Sequence, residues 1–276
     1  TCSKDLPSVK HIVRALTLKG LGVMSFDFTG LGQSEGAFEE TTFSSNIDDL
    51  NLAYAHMREH GRAPALLIGH SLGGAAVLQA RQHMPEVKAI ATIGAPFEPS
   101  HVKKTFAAHH DTIQEHGEAI ATLAGRPFTI RSEFVEDLDS FDPATYIPKL
   151  RAALLIMHAP LDRTVDIENA TRIFVTARGP KSFISLDDAD HLLTRDADAD
   201  YVGHMIAEWS SRYIEALPDA STITPQQMDP KGSEVVLRTG TSTYHTDVVA
   251  RGHALIADEP ESLGGTDHGP TPYDYL

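Results

Sequence analysis

The chain has 276 residues, of which 41% are hydrophobic and 22% charged, and its formal net charge is -15 at pH 7. This is the composition of a globular protein, and the acidic balance argues against nucleic acid and anionic membrane surfaces as partners, because both are bound through basic residues. The sequence has no apolar run long enough to span a bilayer, no secretory apolar segment and a single cysteine, Cys2, which rules out an intrachain disulfide, so we expect a cytoplasmic protein.

Helical and strand-like patterns alternate over most of the chain. Residues 6–18 carry apolar side chains at helical spacing, and residues 46–60 predict a second amphipathic helix, capped by Asn46 or Ser45 and ended by Gly61. Buried strands are predicted at residues 23–28, 65–68, 87–93, 152–158 and 182–186, and further helices at residues 171–177 and 201–217. This alternation predicts an α/β fold with a mostly parallel sheet and helices on both faces.

The alternation stops between residues 97 and 149, where the sequence is helix-prone and rich in histidine and charge. An insertion at this point would lie over the carboxyl ends of the strands, where open α/β sheets bind their ligands. We interpret it as a helical lid that controls substrate access, and an ordinary connecting segment is the alternative. The adjacent His109 and His110 lack the spacing of metal ligands, so no metal site is predicted.

The character of the chain changes after Leu217. Residues 218–232 form a polar linker that contains proline, so residues 1–217 are predicted to be one domain. From residue 233 to residue 276, short apolar segments separated by turn residues predict antiparallel strands. This last segment is too short to bury a core by itself.

A Gly-x-Ser-x-Gly motif, Gly69-His70-Ser71-Leu72-Gly73, follows the predicted strand at residues 65–68 and opens a helix-like segment. In a strand–turn–helix context this motif predicts a nucleophilic serine on a strained turn, with its hydroxyl exposed. Gly69 and Gly73 are expected to remove side chains that would clash in the turn. The alternative is a tight turn of small residues without chemistry.

Two further residues complete a set for nucleophilic catalysis. A serine hydroxyl needs a neutral imidazole to accept its proton and a carboxylate to orient that imidazole. Asp162 follows the strand at residues 152–158 after a short loop, and His191 follows the strand at residues 182–186. Both would lie at the carboxyl edge of the sheet with Ser71, in the chain order Ser, Asp, His. The sequence thus predicts Ser71 as nucleophile, His191 as general base and Asp162 as the orienting acid.

Other carboxylates near these positions are expected to have structural roles. Asp166 is the competing acid, but it precedes a helical segment and fits a helix N-cap. Asp187, Asp188 and Asp190 precede His191 in the same loop, and an orienting carboxylate must approach from a separate strand. We therefore expect these three residues to cap or turn the loop.

Two histidines beside the predicted site are also expected to be structural. His70 adjoins the nucleophile, and in such a turn its side chain must point away from that of Ser71. His158 ends a buried strand. Packing or an internal hydrogen bond is the predicted role of both.

The oxyanion that forms during attack on a carbonyl needs two N–H donors. The amide of Leu72, directly after the nucleophile, is predicted to be the first. The second should come from a loop after an earlier strand that the sequence lacks, and Thr1 and Cys2 stand about where that loop would be. Since the sequence also starts without methionine and has no obvious ending, we expect both ends to be cut.

The segment Asp27-Phe28-Thr29-Gly30-Leu31-Gly32-Gln33-Ser34 resembles the Asp-x-x-Gly-x-Gly-x-Ser segment of α/β-hydrolase-fold enzymes. Together with the turn at Ser71, with Asp162 and with Asp190-His191, it makes residues 1–217 similar to that family. The resemblance implies a serine hydrolase that acts on a small-molecule substrate without a cofactor. Such enzymes usually begin their sheet with strands and an oxyanion loop, often His-Gly, that are absent from this sequence.

Residues 257–274 are similar to the start of OsmC-family domains. The whole chain then resembles bacterial proteins in which an α/β hydrolase is fused to an OsmC-like domain. OsmC-type peroxidases use a pair of later cysteines, so the resemblance implies no peroxidase chemistry in this chain. A complete OsmC-like part would imply a homo-oligomer.

The expected function is the cleavage of carboxylic esters, namely small acyl esters or thioesters, through an acyl-enzyme intermediate. A non-catalytic binding or scaffold module with a hydrolase-like pocket is one alternative. An acyltransferase, an amide hydrolase or a perhydrolase that uses the same three residues is another, because the fold does not choose among these reactions.

Overall fold

Helices and strands alternate through most of the chain. The computed structural model describes residues 4–123, 125–215, 234–239, 244–251, 253–271 and 274. The helices are α1 (Pro7–Leu18), α2 (Phe43–Glu59), α3 (Leu72–Ala80), α4 (His110–His116), α5 (Ser132–Asp139), α6 (Pro143–Tyr146), α7 (Glu168–Thr176) and α8 (Asp196–Ser210). The strands are β1 (Leu66–His70), β2 (Ala89–Ile93), β3 (Glu118–Leu123), β4 (Arg126–Arg131), β5 (Ala153–His158), β6 (Lys181–Ser185), β7 (Val235–Thr239), β8 (Thr246–Ala250) and β9 (His253–Ala257).

The chain divides into two units, one formed by Thr1–Ala15 with Val23–Ile214 and the other by Leu16–Gly22 with Glu215–Leu276. Short 3-10 helices occupy Phe38–Glu40, Arg81–His83, Pro99–His109, Ile147–Lys149 and Glu261–Leu263. Within the described part of the chain, none of the helices combines the length and the apolar character that a bilayer crossing requires.

A parallel sheet of the first unit is built from four strands in the order β1-β2-β5-β6. Every residue of β2 and β5 is buried, which explains why these strands read as continuous apolar runs instead of alternating patterns. Parallel strands bring all their carboxyl ends to one edge of the sheet. The segments that leave β1, β5 and β6 with Ser71, Asp162 and His191 therefore start from the same edge.

The predicted α/β architecture is confirmed, with shifted element bounds. The apolar runs at residues 65–68, 87–93, 152–158 and 182–186 correspond to β1, β2, β5 and β6. The predicted helices at residues 171–177 and 201–217 correspond to α7 and α8, and both of these begin earlier in the chain than the apolar pattern indicates. Polar first turns, such as Asp196 and Asp198 in α8, extend a helix beyond its apolar stripe.

The predicted buried strand at residues 23–28 is wrong. This segment pairs with no strand among the described residues, and Val23 and Met24 are exposed. An extended segment becomes a strand only when a neighbour accepts and donates its backbone hydrogen bonds. Apolar sequence alone does not supply that neighbour.

Asp27, at the end of that segment, organises the loop that follows it. Its buried carboxylate accepts hydrogen bonds from the Lys4 amide (2.7 Å), the Lys4 ammonium (2.9 Å) and the Gln33 amide (3.1 Å). Burial alone would raise the pKa of this carboxyl, but those hydrogen bonds outweigh burial and lower the pKa to about 2. Gly32 has φ +55°, and a Cβ there would lie 2.1 Å from Asp27 Oδ2. The Asp-x-x-Gly-x-Gly-x-Ser segment is thus a loop wrapped around one carboxylate.

The second helix starts earlier than predicted because a different residue caps it. Helix α2 begins at Phe43, and Thr42 is its N-cap. The Thr42 hydroxyl accepts a hydrogen bond from the Ser45 amide (3.1 Å), and the Thr42 amide donates one to the Ser45 hydroxyl (2.9 Å). This reciprocal pair satisfies two backbone donors, and the predicted caps Asn46 and Ser45 lie inside the helix.

The segment between β2 and β5 is only partly helical, so the prediction of a helical lid needs correction. Besides two 3-10 helices and α4 to α6, it contains an antiparallel hairpin of β3 and β4, which lies between α4 and α5. In β3 the residues alternate between exposed and buried, with Ala119, Ala121 and Leu123 on the buried face. Such a period of two indicates a half-buried strand, and this strand was not predicted from the sequence.

The second unit contains an antiparallel sheet in the order β7-β8-β9. The predicted short antiparallel strands after residue 233 are therefore confirmed. The predicted linker at residues 218–232 lies outside the described residues.

We expect Asp27→Ala to lower the free energy of unfolding by roughly 2–4 kcal/mol, because the Lys4 ammonium and two amides lose a buried partner. Urea denaturation at pH 7 measures this loss, and Asp48→Ala, an exposed carboxylate on α2, should change it by less than about 0.5 kcal/mol.

The decrease in the free energy of unfolding caused by Asp27→Ala should depend on pH. The folded pKa of Asp27 lies below its unfolded value, so its contribution is present above the unfolded value of about 4 and is lost as the pH falls towards 2. The difference between wild type and Asp27→Ala should therefore shrink at low pH, and equal urea midpoints at pH 7 would contradict the assigned role.

Candidate active site

Ser71 lies on a sharp turn between β1 and α3. Its backbone has φ 53° and ψ -130°, a conformation that non-glycine residues rarely adopt and that costs on the order of 1–3 kcal/mol. The Ser71 amide donates to the Ile93 carbonyl (2.9 Å), and the Gly74 amide donates to the Ser71 carbonyl (2.8 Å). These bonds hold the turn in place at the edge of the sheet.

Two of the glycines around Ser71 allow close backbone packing. A Cβ on Gly69 would lie 2.4 Å from the Gly73 carbonyl oxygen, and a Cβ on Gly74 would lie 2.5 Å from Ala95 Cβ. A Cβ on Gly73 would have no heavy atom within 4 Å. The expected steric role of Gly69 is thus confirmed, whereas the one expected of Gly73 belongs to Gly74.

The structure brings Ser71, His191 and Asp162 together in a hydrogen-bonded series. The Ser71 hydroxyl lies 3.0 Å from His191 Nε2, and His191 Nδ1 lies 2.7 Å from Asp162 Oδ2. The side chain of Asp162 is 1% exposed and that of His191 is 11% exposed. With its Nδ1–H donated to the carboxylate, His191 directs the lone pair of Nε2 to the serine hydroxyl.

Asp162 is held ionised by a dense set of donors. Its Oδ1 accepts the amides of Thr164 (2.8 Å) and Val165 (3.0 Å), while Oδ2 accepts from His191. Burial would raise the pKa of this carboxyl, but the hydrogen bond from His191 and the two amides outweigh burial and lower the pKa. A carboxylate fixed in this way orients the imidazole and stabilises its protonated form.

Gly94 makes room for the contact between His191 and Asp162. Its φ is +54°, and a Cβ there would lie 3.3 Å from His191 Nδ1 and 3.4 Å from Asp162 Oδ2. Gly94 was not among the residues predicted for the site. The signal was the Gly-Ala-Pro sequence directly after β2, at the same sheet edge as Ser71.

His70 supports the loop that carries His191. Its Nε2–H donates to the His191 carbonyl oxygen at 2.6 Å, and this fixes the tautomer because a carbonyl only accepts. Burial is the main cause that lowers the pKa of His70 to about 4, and the nearby His191 is the second. The ring is therefore neutral at pH 7, and it fills the structural role predicted for it.

His158 supports the loop that carries Asp162. Its side chain is fully buried, and its Nε2–H donates to the Val165 carbonyl at 2.7 Å. Burial lowers the pKa of this imidazole, so it stays neutral and places no positive charge beside Asp162. The structural role predicted for His158 is also confirmed.

The competing acid Asp166 lies outside this series. Its side chain is 69% exposed and lies 3.8 Å from the Lys104 ammonium. The N-cap position of α7 is Ile167, and the Asp166 carbonyl, not its carboxylate, accepts the Asn169 amide. The predicted N-cap role of Asp166 is therefore wrong.

The aspartates of the His191 loop shape that loop. Asp190 accepts the amides of Leu192 and Thr194 and the hydroxyl of Thr194. Asp188 forms a two-pronged ion pair with Arg195, at 2.8 and 2.9 Å. Asp190 therefore turns the chain as predicted, and Asp188 anchors it to the start of α8.

Of the predicted oxyanion donors, the structure describes only Leu72. This residue is the first of α3, so its amide is one of the N–H groups that a helix leaves without an intrahelical partner. Thr1 and Cys2 lie outside the described residues.

Several known proteins are similar to this chain. The sequence profile of the family described as serine aminopeptidase, S33, matches residues 6–140. The crystal structure of the esterase domain of a Rhodothermus marinus protein is 45% identical in sequence, and the match has a TM-score of 0.62 and covers 77% of this chain and 83% of that domain.

More distant matches cover a similar share of the chain. Est1E from Butyrivibrio proteoclasticus, determined with ferulic acid bound, is 16% identical with a TM-score of 0.65, over 77% of this chain and 85% of that structure. This likeness shows the fold alone. The uncharacterized protein YfhR of Escherichia coli K12 is 22% identical over 218 residues, which make up 78% of this chain and 66% of that relative's length.

We expect His70→Leu to slow the reaction of Ser71 with a fluorophosphonate probe by about 10- to 100-fold, because loss of the donor to the His191 carbonyl frees the histidine loop. The matched variant His70→Gln keeps an N–H near the position of Nε2 and should retain most of the reactivity. Equal inactivation rates for wild type and His70→Leu would show that the hydrogen bond does not position His191.

Proposed function

The chain belongs to the α/β-hydrolase family, and we propose that it is a serine esterase that cleaves small acyl esters or thioesters. The observation that carries this proposal is the series of hydrogen bonds from Ser71 to His191 (3.0 Å) and from His191 to Asp162 (2.7 Å). The strained backbone of Ser71 supports it, because such conformations cluster at functional sites.

In the proposed first step, Ser71 Oγ forms a bond to the ester carbonyl carbon while His191 Nε2 takes the hydroxyl proton. The Leu72 amide, as one of two donors, stabilises the negative charge on the carbonyl oxygen. The tetrahedral intermediate collapses, the bond to the alcohol or thiol breaks, and His191 returns its proton to that leaving group. Asp162 stays ionised throughout and stabilises the imidazolium.

The second step repeats this chemistry with water. His191 removes a proton from a water molecule whose oxygen attacks the acyl carbon, and the carboxylic acid leaves as Ser71 regains its proton. The reaction needs these residues, the substrate and water. The proposed lid, residues 97–149, leaves the sheet after β2 at the edge that carries Ser71, where it would select among acyl groups.

Esters are preferred over amides because the relative at 45% identity is described as an esterase domain. Amide cleavage is the second candidate, because the matching family profile is described as a serine aminopeptidase. Acyl transfer and perhydrolysis would use the same three residues. A non-catalytic scaffold is separated from a hydrolase by the labelling and turnover experiment below.

For the rest of the chain, we propose that residues 233–276 are the beginning of an OsmC-like domain in a cytoplasmic protein. The antiparallel strands β7 to β9 support this proposal. A homo-oligomer formed through the complete domain follows from it.

We expect Ser71→Ala to abolish hydrolysis of p-nitrophenyl acetate above the uncatalysed rate and to abolish labelling by a fluorophosphonate probe. The wild type should label at Ser71, as identified by mass spectrometry of the modified peptide. If the probe does not label the wild type and the wild type does not hydrolyse the ester, the result would favour the hypothesis of a non-catalytic scaffold.

Asp162→Asn should lower kcat by about 10³- to 10⁴-fold, because the amide disturbs the tautomer and charge that His191 needs. Asp166→Asn is the matched control four residues later, and we expect it to keep kcat within about twofold, since surface changes away from a site act weakly. The assignment fails if the two variants have the same kcat.

Substrate class is tested with p-nitrophenyl esters of increasing acyl length, a matching thioester and an aminoacyl p-nitroanilide. We expect the highest kcat/KM for the short acyl esters or thioesters. A higher kcat/KM for the anilide would replace the esterase proposal with the aminopeptidase one.

A further inference from the structure

Two histidines and an aspartate, all residue types that can ligate a metal ion, come together in the second unit from segments that are separate in sequence. His245 lies directly before β8, Asp258 directly after β9, and His268 in the loop that follows. One ligand atom from each of these side chains lies within 4.8 Å of the other two. Their combination, two imidazoles and a carboxylate, is typical of zinc and other transition-metal sites.

Asp258 is a buried and rigid member of this cluster. Its Oδ2 accepts from the Thr266 hydroxyl (2.5 Å), the Thr266 amide (3.2 Å) and the His268 amide (3.1 Å), and its Oδ1 accepts from the Glu259 amide (2.8 Å). These bonds, of which that from the Thr266 hydroxyl is strongest, lower the pKa of Asp258 to about 2. The loop thus folds back around an ionised carboxylate and brings His268 with it.

His245 is placed between two carboxylates. Its Nδ1 lies 4.0 Å from Asp258 Oδ2, too far for a hydrogen bond, while its Nε2 lies 3.5 Å from Asp247 Oδ1. Asp247 is itself buried and paired with Arg238. A metal-bound histidine commonly directs its second ring nitrogen to a carboxylate in this way, which leaves the first nitrogen with a lone pair for the metal.

His268 is the third member of the cluster. Its ring meets that of His245 nearly at a right angle, 82°, with the centroids 5.9 Å apart. Its Nδ1 lies 3.0 Å from the Thr266 hydroxyl, which links the ring to Asp258. The two imidazoles and the carboxylate are close to one another, and small rotations of these side chains would bring their ligand atoms closer together.

We propose that His245, Asp258 and His268 bind one divalent transition-metal ion, and that the ion is Zn²⁺. Metal–ligand distances of about 2.0–2.2 Å place tetrahedral ligands about 3.4 Å apart, somewhat closer than they lie here. Two imidazoles disfavour Ca²⁺ and Mg²⁺, which prefer oxygen ligands. Three protein ligands leave the fourth position for water.

The ion would cross-link the segments that carry its three protein ligands. It would connect the segment before β8, the end of β9 and the loop at residue 268, all within a unit whose described sheet has three strands. Small units gain stability from metals because the binding free energy adds to folding. This inference concerns the second unit and does not depend on the proposed esterase activity.

The experiment is a calorimetric titration of the tag-free full chain with ZnCl₂ after removal of metals by EDTA. We expect one high-affinity Zn²⁺ per chain, and a loss of affinity of at least about 100-fold in His245→Ala and in His268→Gln, each of which removes a ligand. The matched control is His253→Ala, an exposed histidine on β9 outside the cluster, and it should bind Zn²⁺ as the wild type does.

Thermal unfolding separates lost ligation from lost folding. His268 is exposed, so His268→Gln should unfold like the wild type in EDTA and lose only the increase in Tm that Zn²⁺ gives to the wild type. The proposal is overturned if the wild type neither binds Zn²⁺ saturably nor gains Tm. It is also overturned if the double variant His245→Ala/His268→Gln binds with wild-type affinity, because the cluster would then be only a hydrogen-bonded network.

Discussion

The parallel register of β1, β2, β5 and β6 is the constraint on which the candidate site depends. Because every strand runs in the same direction, the segments after β1, β5 and β6 leave from one edge. Side chains that are 120 and 29 positions apart, Ser71 with His191 and Asp162 with His191, come into contact there. The sheet can serve as a rigid base because β2 and β5 are buried along their whole length. The turn at Ser71 stores backbone strain that only such a base can hold in place.

Three histidines at this edge have different tasks, and their surroundings explain why. His70 and His158 are both made less basic by burial, and each donates Nε2–H to a backbone carbonyl of a functional loop. In neutral form, His70 supports the loop that carries His191, and His158 supports the loop that carries Asp162. His191 differs because its Nδ1–H meets a carboxylate and its Nε2 faces a hydroxyl. The same side chain therefore serves as support or as base according to its partners.

Buried aspartates organise loops in both units by the same physical means. Asp27 gathers donors from Lys4 and Gln33, and Asp258 gathers donors from Thr266 and His268. In each case hydrogen bonds to the ionised form outweigh the cost of burial and keep the pKa near 2. The difference lies in what surrounds the carboxylate. Asp27 has an ammonium partner that neutralises its charge, whereas Asp258 faces two imidazoles, which is the environment of a cation.

Local sequence patterns were sufficient to predict the strands of the parallel sheet and the candidate catalytic residues. Short apolar segments predicted the four strands of the sheet, and the segments of β2 and β5 are continuous because both strands are buried along their whole length. Ser71, Asp162 and His191 were predicted as a set from the Gly-x-Ser-x-Gly motif and from an aspartate and a histidine that each follow a strand. In a parallel sheet the strands end at one edge, so residues that directly follow them come close together. The short strands of the second unit were predicted from turn residues between apolar segments.

Only the tertiary structure decided the features that depend on a neighbour distant in sequence. Residues 23–28 have a strand's composition but find no pairing partner among the described residues. Asp166 has the residue type of an N-cap, but Ile167 occupies the N-cap position of α7. Gly94 and Gly74 matter because of the atoms that a Cβ would meet, and those atoms belong to other segments. The cluster of His245, Asp258 and His268 has no recognisable spacing, and the sequence predicted no metal site. Sequence patterns record local geometry and burial, whereas contacts between separate segments are set by how the loops return, and that information exists only in the folded chain.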